Sequence, residues 1–254
     1  MNKKGDYWSF TLLVVTIIIL GWTSWLVLTN SSPIERATGL SSILLYNVFD
    51  EVEADLMYMD KSLEYGFSDS LNELLLNGGF FESKNKENEY VLWKRDVNEC
   101  YPTEDTIKGA LSSYLNKTIV EDLDKINLNG DFEFTFEKDT NGLKVIGKSD
   151  NLIYSRDLEN IHVDYEVNPT LTYIVDYDLD QVMLKVLEVK GVIDSCGDNV
   201  GCWGSSNFNW SNNGKLFTFD VDLGKVENVF GETNLTLKGA VDFGSGLGKS
   251  SLIC

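Results

Sequence analysis

The chain opens with its longest hydrophobic run. Residues 7–29 are 23 consecutive uncharged residues, and the most apolar part of the run is 12–20. As an α-helix, the run would measure roughly 34 Å at about 1.5 Å per residue, which is enough to cross a bilayer. Tryptophan suits the membrane interface, and it occurs near both ends of the run, as Trp8, Trp22 and Trp25. The pattern therefore predicts a transmembrane helix over 7–29.

The charges on either side of this run predict its orientation. Lys3 and Lys4 precede it, whereas the first charges after it are Glu35 and Arg36. Because the cytoplasmic flanks of membrane spans are enriched in lysine and arginine, residues 1–6 are expected in the cytoplasm. The remainder would then be the extracellular ectodomain of a single-pass cell-membrane protein that contacts lipid through 7–29.

Helical periodicity returns after residue 30. Ser32-Pro33-Ile34-Glu35 is a capping box with proline at the first helical position, which predicts the start of a helix. Apolar residues at spacings of three and four are typical of two structures. One is a helix packed on its own domain, which we favour here, and the other is a coiled-coil or filament seam. Such spacings follow here, at Leu45, Val48, Val52, Leu56, Met59 and Leu63. Three further helices are predicted, near 69–76, over 107–126 and over 179–193.

The hydrophobic period changes to two beyond residue 131. Phe132, Phe134 and Phe136 alternate with polar residues, and a partner strand at 143–147 follows a turn at 139–142, which predicts a β-hairpin. Since helices and strands come in blocks, we expect an α+β fold with about four helices and a mostly antiparallel sheet. The ectodomain would have a mainly helical part, 30–130, and a strand-rich part, 131–254. Further strands are predicted at 89–93, 161–167, 171–177, 208–210, 216–221 and 235–243.

The charge balance is strongly acidic. Lysine and arginine number 21 against 40 aspartates and glutamates, which gives a net charge of −19. Such a chain repels anionic partners, and its basic residues form no cluster along the sequence, so nucleic acid is excluded as a partner. Hydrophobic residues make up 43% of the chain. This share is enough for a core and excludes disorder for most of the length.

Two of the four cysteines are close together in sequence. Cys196 and Cys202 bracket a short loop that contains two glycines. We expect them to form a disulfide, because an outward-facing compartment permits oxidation. Four cysteines allow three pairings, so a second bond, between Cys100 and Cys254, stays open.

No motif indicates catalysis, a cofactor or a metal ion. The single histidine, His162, lies in a strand pattern, and the cysteines lack the close spacing of zinc ligands. The glycine-rich segment 244–250 lacks the first glycine of a phosphate loop, so a flexible tail is expected. Residues 176–180 begin like a calcium loop, but Gln181 replaces the required glycine, which favours a strand end and a helix N-cap. We therefore expect a protein that is not an enzyme and binds no cofactor.

Four asparagines lie in Asn-x-Ser/Thr sequons, to which glycans attach in exported chains. Chance occurrence is an equally good interpretation in a chain rich in asparagine. The four positions are Asn30, Asn116, Asn209 and Asn234.

The first residues contain a second pattern. Lys3-Lys4-Gly5 precedes Asp6 and the long apolar run. This start resembles the class III signal of type IV pilins and archaeal pilin-like proteins. The resemblance implies cleavage between Gly5 and Asp6 by a dedicated peptidase and polymerisation through the apolar helix. Phe10 departs from the pattern, since pilins commonly carry glutamate five residues after the cut.

Other segments contribute to a wider and more diffuse pattern. A leucine-rich turn ends in Gly78-Gly79-Phe80, Cys100-Tyr101-Pro102-Thr103 opens a helix, and Cys202-Trp203 lies in a late loop. With the single apolar helix, these features resemble uncharacterised single-pass surface proteins of small-genome archaea. The resemblance implies no activity, ligand or catalytic residue.

We therefore expect a membrane-anchored, outward-facing acidic ectodomain that acts as a cell-surface interaction, adhesion or envelope component. Other surface or pilus proteins are its candidate partners. Two alternatives stay open: a type IV pilin-like subunit cleaved after Gly5, and an extracellular hydrolase. The oligomeric state is not predicted.

Overall fold

The computed structural model describes residues 14–25, 33–125, 130–150, 152–158, 161–228, 231–244 and 252. Within these residues the chain forms an α+β fold. The elements are, in chain order, α1 (14–25), α2 (Pro33–Leu76), β1 (Lys86–Glu87), β2 (Tyr90–Arg95), β3 (Asn98–Glu99), α3 (Glu104–Lys125), β4 (Glu133–Asp139), β5 (Gly142–Lys148), β6 (Leu152–Leu158), β7 (Ile161–Val167), β8 (Thr170–Val175), α4 (Leu179–Cys196), α5 (Val200–Trp203), β9 (Asn209–Asn213), β10 (Leu216–Asn228) and β11 (Gly231–Asp242).

The chain divides into two compact units. The first, the helical unit, comprises Met1–Glu53 and Arg156–Val163, and it contains α1 and the first part of α2. The second, the α+β unit, comprises Ala54–Ser155 and Asp164–Cys254. Helix α2 and the paired strands β6 and β7 therefore contribute residues to both units.

The first helix is where the structure departs most from the sequence-based prediction. Over the described residues, no helix is both long enough and apolar enough to cross a membrane. Helix α1 is described over 14–25. The predicted transmembrane helix over 7–29 and the predicted single-pass membrane localisation are therefore wrong.

The α+β unit is built on a mixed sheet of six strands. Its order is β1-β2-β11-β10-β9, and β3 also pairs with β2. Strand β2 runs parallel to β11, with Leu92 opposite Ala240, and the other pairs are antiparallel. The sheet is therefore mostly antiparallel, as expected, and the single parallel pair makes it mixed. The parallel pair joins strands from opposite ends of the unit, so no local turn signal marks it.

A second, three-stranded sheet contains the hairpin that the phenylalanine alternation predicts. Strands β4 and β5 pair antiparallel, which confirms the hairpin, and β8 adds to the free edge of β5. Gly147 lies opposite Phe134, where a Cβ would stand 2.5 Å from the phenylalanine ring. The ring therefore packs directly on the bare glycine. Strands β6 and β7 form a separate two-stranded sheet.

Helix α2 is one continuous helix where the sequence predicts two. The separate helix near 69–76 is the last part of α2, and the chain turns only at Gly78 and Gly79, which have positive φ angles of 64° and 84°. Gly66 is a weak helix former within α2, but its missing side chain lets α3 approach closely, beside Thr118. Tertiary packing therefore stabilises the helix at a residue whose propensity argues against it.

The core of the α+β unit combines the apolar stripe of α4 with an aromatic cluster. Trp203 stacks on Phe217 with ring centroids 4.9 Å apart, and Trp93 packs edge-on against Phe219 at the same distance. All four rings are fully buried. The buried stripe of α4 consists of Leu179, Val182, Val186, Val189 and Ile193.

Candidate interaction surface

Helix α1 exposes every side chain that the structure describes in it. Eight of them are large apolar groups, with exposed fractions from 38% to 68%. They are Val14, Val15, Ile17, Ile18, Ile19, Leu20, Trp22 and Trp25. Contiguous apolar surface of this kind marks interaction sites in soluble proteins, because its contact with water is unfavourable by about 25 cal/mol per Å².

The apolar side chains lie on all sides of α1. At about 100° per residue, Val14, Ile19 and Leu20 point in three directions that are separated by roughly 100–140°. Residues 14–25 carry no charge, and the Thr23 hydroxyl donates to the Ile19 and Leu20 carbonyls at 2.9 and 3.0 Å. This polar group is therefore satisfied within the helix. The surface of α1 is apolar all round rather than amphipathic.

The part of α2 that belongs to the helical unit also exposes apolar groups. Leu45, Tyr46 and Phe49 are exposed, whereas Val48 and Val52 are buried. Of the stripe that the sequence predicts, Val48 and Val52 are therefore buried, whereas Leu45 is exposed. Trp22 and Trp25, which the sequence assigns to a membrane interface, lie on α1. Trp8 and the predicted cleavage site at Gly5 and Asp6 lie outside the described residues.

The structure places Cys196 and Cys202 in a disulfide, with their Cα atoms 5.4 Å apart. The bond links the end of α4 to α5. Next to it, the Trp203 indole nitrogen donates to the Gly197 carbonyl at 2.8 Å, which orients the ring toward the aromatic cluster. Cys100 is also disulfide-bonded, and Cys254, its predicted partner, lies outside the described residues.

The sequons differ in how accessible their asparagines are. Asn209 and Asn234 are exposed on β9 and β11. Asn116 is partly buried, and its Oδ1 accepts a hydrogen bond of 2.8 Å from the Phe132 amide. The Asn116 side chain therefore joins α3 to the start of β4 and is a poor acceptor for a glycan. Asn30 lies outside the described residues.

Residues 176–180 form the strand end and N-cap that the sequence favours over a calcium loop. Strand β8 ends at Val175, and the Asp178 carboxylate accepts from the Asp180 amide at 3.1 Å to cap α4. Asp180 in turn pairs with Lys138 at 2.8 Å, and this cation lowers the pKa of the Asp180 carboxyl. His162 is exposed on β7. Among the described residues, no group of three or more histidine, cysteine or acidic side chains is placed to hold a metal ion.

A cavity of about 390 Å³ lies between α3 and the loop that precedes β1. Its apolar lining includes Val91, Leu92 and Ala110, all buried, and Cys100 lies at its edge. Glu82, which also lines it, has a φ angle of 46°, an uncommon left-handed conformation for a residue other than glycine. Sequence reasoning missed this cavity. The sequence feature that could have indicated this cavity is the turn at Gly78 and Gly79, which two phenylalanines follow.

A second recess, of about 370 Å³, has an acidic lining. Asp176, Glu227 and Glu232 line it together with Tyr173 and Lys225. Lys225 forms an ion pair with Glu232, and this contact raises the lysine pKa. The acidic groups of the recess are thus partly neutralised by the chain itself.

No protein-family model matches this chain, and comparison with curated proteins and with solved structures found no similar protein.

Proposed function

We propose that the protein is a non-catalytic interaction component, of the adhesion or envelope type, which assembles with further copies of itself through α1. The observation that carries the proposal is the exposure of apolar side chains on every side of this helix. Membrane anchoring, which the sequence predicted, has no part in the proposal.

The shape of the apolar surface favours several partner helices over one. A helix that is apolar all round needs cover on all sides, and a single flat surface would leave one of Val14, Ile19 and Leu20 in water. Identical helices that pack as a bundle cover every side, because each copy brings the same apolar surface. Since residues 14–25 are uncharged, the contact itself brings no like charges together.

The pilin-like subunit is a more specific form of the same proposal. It shares polymerisation through the apolar helix and is favoured by the exposed Leu45, Tyr46 and Phe49 on the helix that follows. N-terminal sequencing of the mature protein distinguishes it. A start at Asp6 supports the pilin-like form, and an intact Met1 or Asn2 contradicts it. The extracellular hydrolase is not part of this proposal.

Sedimentation velocity of the full chain tests self-assembly with a matched pair of variants. Leu20 on α1 and Leu184 on α4 are both helical leucines, with exposed fractions of 63% and 64%. Lysine is a good helix former, so Leu20→Lys adds a charge to α1 without breaking the helix. We expect the wild type and Leu184→Lys to sediment as the same oligomer and Leu20→Lys to shift to the monomer. A monomeric wild type at all concentrations, or equal behaviour of the two variants, would contradict the proposal.

A further inference from the structure

The cavity of about 390 Å³ beside α3 has an apolar floor. Val91, Leu92 and Ala110 line it, and each of them is at most 5% exposed. Cys100, which also lines the cavity, is disulfide-bonded, so it adds apolar surface rather than a reactive thiol. All of the lining residues belong to the α+β unit. The volume lies within the range of about 300–1,000 Å³ that is usual for small-molecule sites.

Two carboxylates from different elements lie on the rim, which is formed by the exposed side chains of the lining. Glu82 comes from the loop that precedes β1, and Asp105 comes from the first turn of α3. Among the described lining residues, Lys84 is the one basic side chain. Lys108, on the next turn of α3, is paired with Glu104 at 2.6 Å and is not part of the lining. The rim therefore carries more negative than positive charge and attracts a cation.

An aromatic ring lies on the same side of the cavity as Glu82. The Phe81 ring is 38% exposed, lines the cavity and packs edge-on against buried Tyr114, with ring centroids 4.8 Å apart. The face of an aromatic ring attracts an ammonium group within about 6 Å. Glu82, the next residue, has the left-handed φ angle of 46°, and such strain is found most often at ligand and active sites. The loop thus offers two groups that suit a cationic ligand.

We propose that this cavity binds a small organic amine, with its apolar body on the floor and its ammonium group beside Glu82 and Asp105. The apolar body gains free energy by leaving water, and the ammonium group stays partly hydrated because both carboxylates are exposed. An anionic ligand would be repelled by the rim and by the net charge of −19. The inference does not depend on self-assembly through α1, because α1 belongs to the helical unit.

Three probes that share a naphthalene ring but differ in the charge of the head group test the ligand class. They are naphthylmethylamine, naphthylmethanol and naphthoate, and isothermal titration calorimetry of the full chain measures the Kd of each. We expect the amine to bind most tightly, the alcohol more weakly and the carboxylate most weakly. Equal affinities for the amine and the alcohol, a preference for the carboxylate, or no binding of any probe would overturn the proposal.

The double variant Glu82→Gln/Asp105→Asn tests the rim. It should weaken binding of the amine by about 3- to 10-fold, the range expected for two exposed ion pairs, and leave binding of the alcohol unchanged. The matched control is Asp69→Asn/Glu121→Gln, which removes the same charge from two exposed residues outside the lining. Equal loss of amine binding in both double variants would show that affinity follows only the net charge, and would overturn the proposed rim.

Gly109 of α3 allows the cavity itself to be blocked. It lines the cavity, and a Cβ there meets no atom within 4 Å, so Gly109→Leu adds a side chain without a clash in a helix that leucine favours. The variant should weaken binding of the amine by at least about 10-fold, because the added side chain takes the place of the apolar body. Gly191→Leu on α4, where a Cβ also meets no atom, should bind as the wild type does. Unchanged affinity in Gly109→Leu would place the probe elsewhere on the protein and overturn the site.

Discussion

Gly66 of α2 lies directly against Thr118 of α3. A Cβ on the glycine would stand 2.8 Å from the Thr118 Cγ2 atom. Thr118 is held in place, because its hydroxyl donates to the Tyr114 carbonyl at 3.1 Å and lies 3.2 Å from the Ser70 hydroxyl. On the same face of α2, Ser62 donates to Asp122 of α3. Small residues on one face of α2 therefore let the two helices approach closely.

Replacement of Gly66 by alanine is expected to destabilise the protein. Alanine improves helix propensity by about 1 kcal/mol, but the forced shift of Thr118 costs about 1–3 kcal/mol, so we expect a net loss of about 1 kcal/mol. Urea unfolding measures the change. Thr118→Ser keeps the hydroxyl and removes Cγ2, so it should rescue Gly66→Ala.

Gly191 on α4 gives the matched control for this prediction. A Cβ at Gly191 meets no atom within 4 Å, so Gly191→Ala should stabilise the protein by about 0.5–1 kcal/mol. If Gly66→Ala stabilised the protein as Gly191→Ala does, the close contact of α2 and α3 would be contradicted.

Removal of the hydroxyl should change the stability of the protein differently at two buried tyrosines, Tyr154 and Tyr177. The Tyr154 hydroxyl donates to the Asp55 carboxylate at 2.8 Å, whereas the Tyr177 hydroxyl has no hydrogen-bond partner among the described residues. Tyr154→Phe should therefore cost about 1–3 kcal/mol, while Tyr177→Phe should be neutral or stabilising. Denaturant unfolding of both variants checks this. A loss at Tyr177 as large as that at Tyr154 would mean that the hydroxyl is in fact satisfied.

Stability should fall at alkaline pH. Burial raises the pKa of the Tyr154 and Tyr177 hydroxyls above the usual value of about 10, and the Asp55 and Asp178 carboxylates add to the rise. Above pH 10 the unfolded chain releases protons that the folded chain keeps, so the stabilisation is complete below about pH 10 and is lost as the pH rises beyond it. Tyrosinate absorbance and the unfolding midpoint, followed together across this range, check the prediction. Ionisation of all tyrosines at their ordinary pKa in the folded protein would contradict it.

Self-association should strengthen with ionic strength. The net charge of −19 makes copies of the chain repel one another, and added salt screens this repulsion while the apolar contact at α1 remains. Sedimentation at low and at physiological salt measures the shift toward the oligomer. Weaker association in salt would instead indicate that charge pairs hold the copies together.

Part of the candidate site could be predicted from the sequence. The apolar character of α1 and the pairing of Cys196 with Cys202 follow from residues close together in the chain. The cavity at Cys100 could not be predicted, because its lining comes from a loop, from β2 and from α3, and no local pattern shows that they meet.

The sequence by itself determined the local elements of this protein. The alternation at Phe132, Phe134 and Phe136 determined a hairpin, and the acidic turn at Asp178 determined a helix cap, because both depend on interactions within a few residues. Only the tertiary structure decided that Leu92 lies beside Ala240 in a parallel pair and that Gly66 continues α2. These features depend on contacts between residues that are far apart in the sequence. The free energy of those contacts exceeds the local helix and strand propensities.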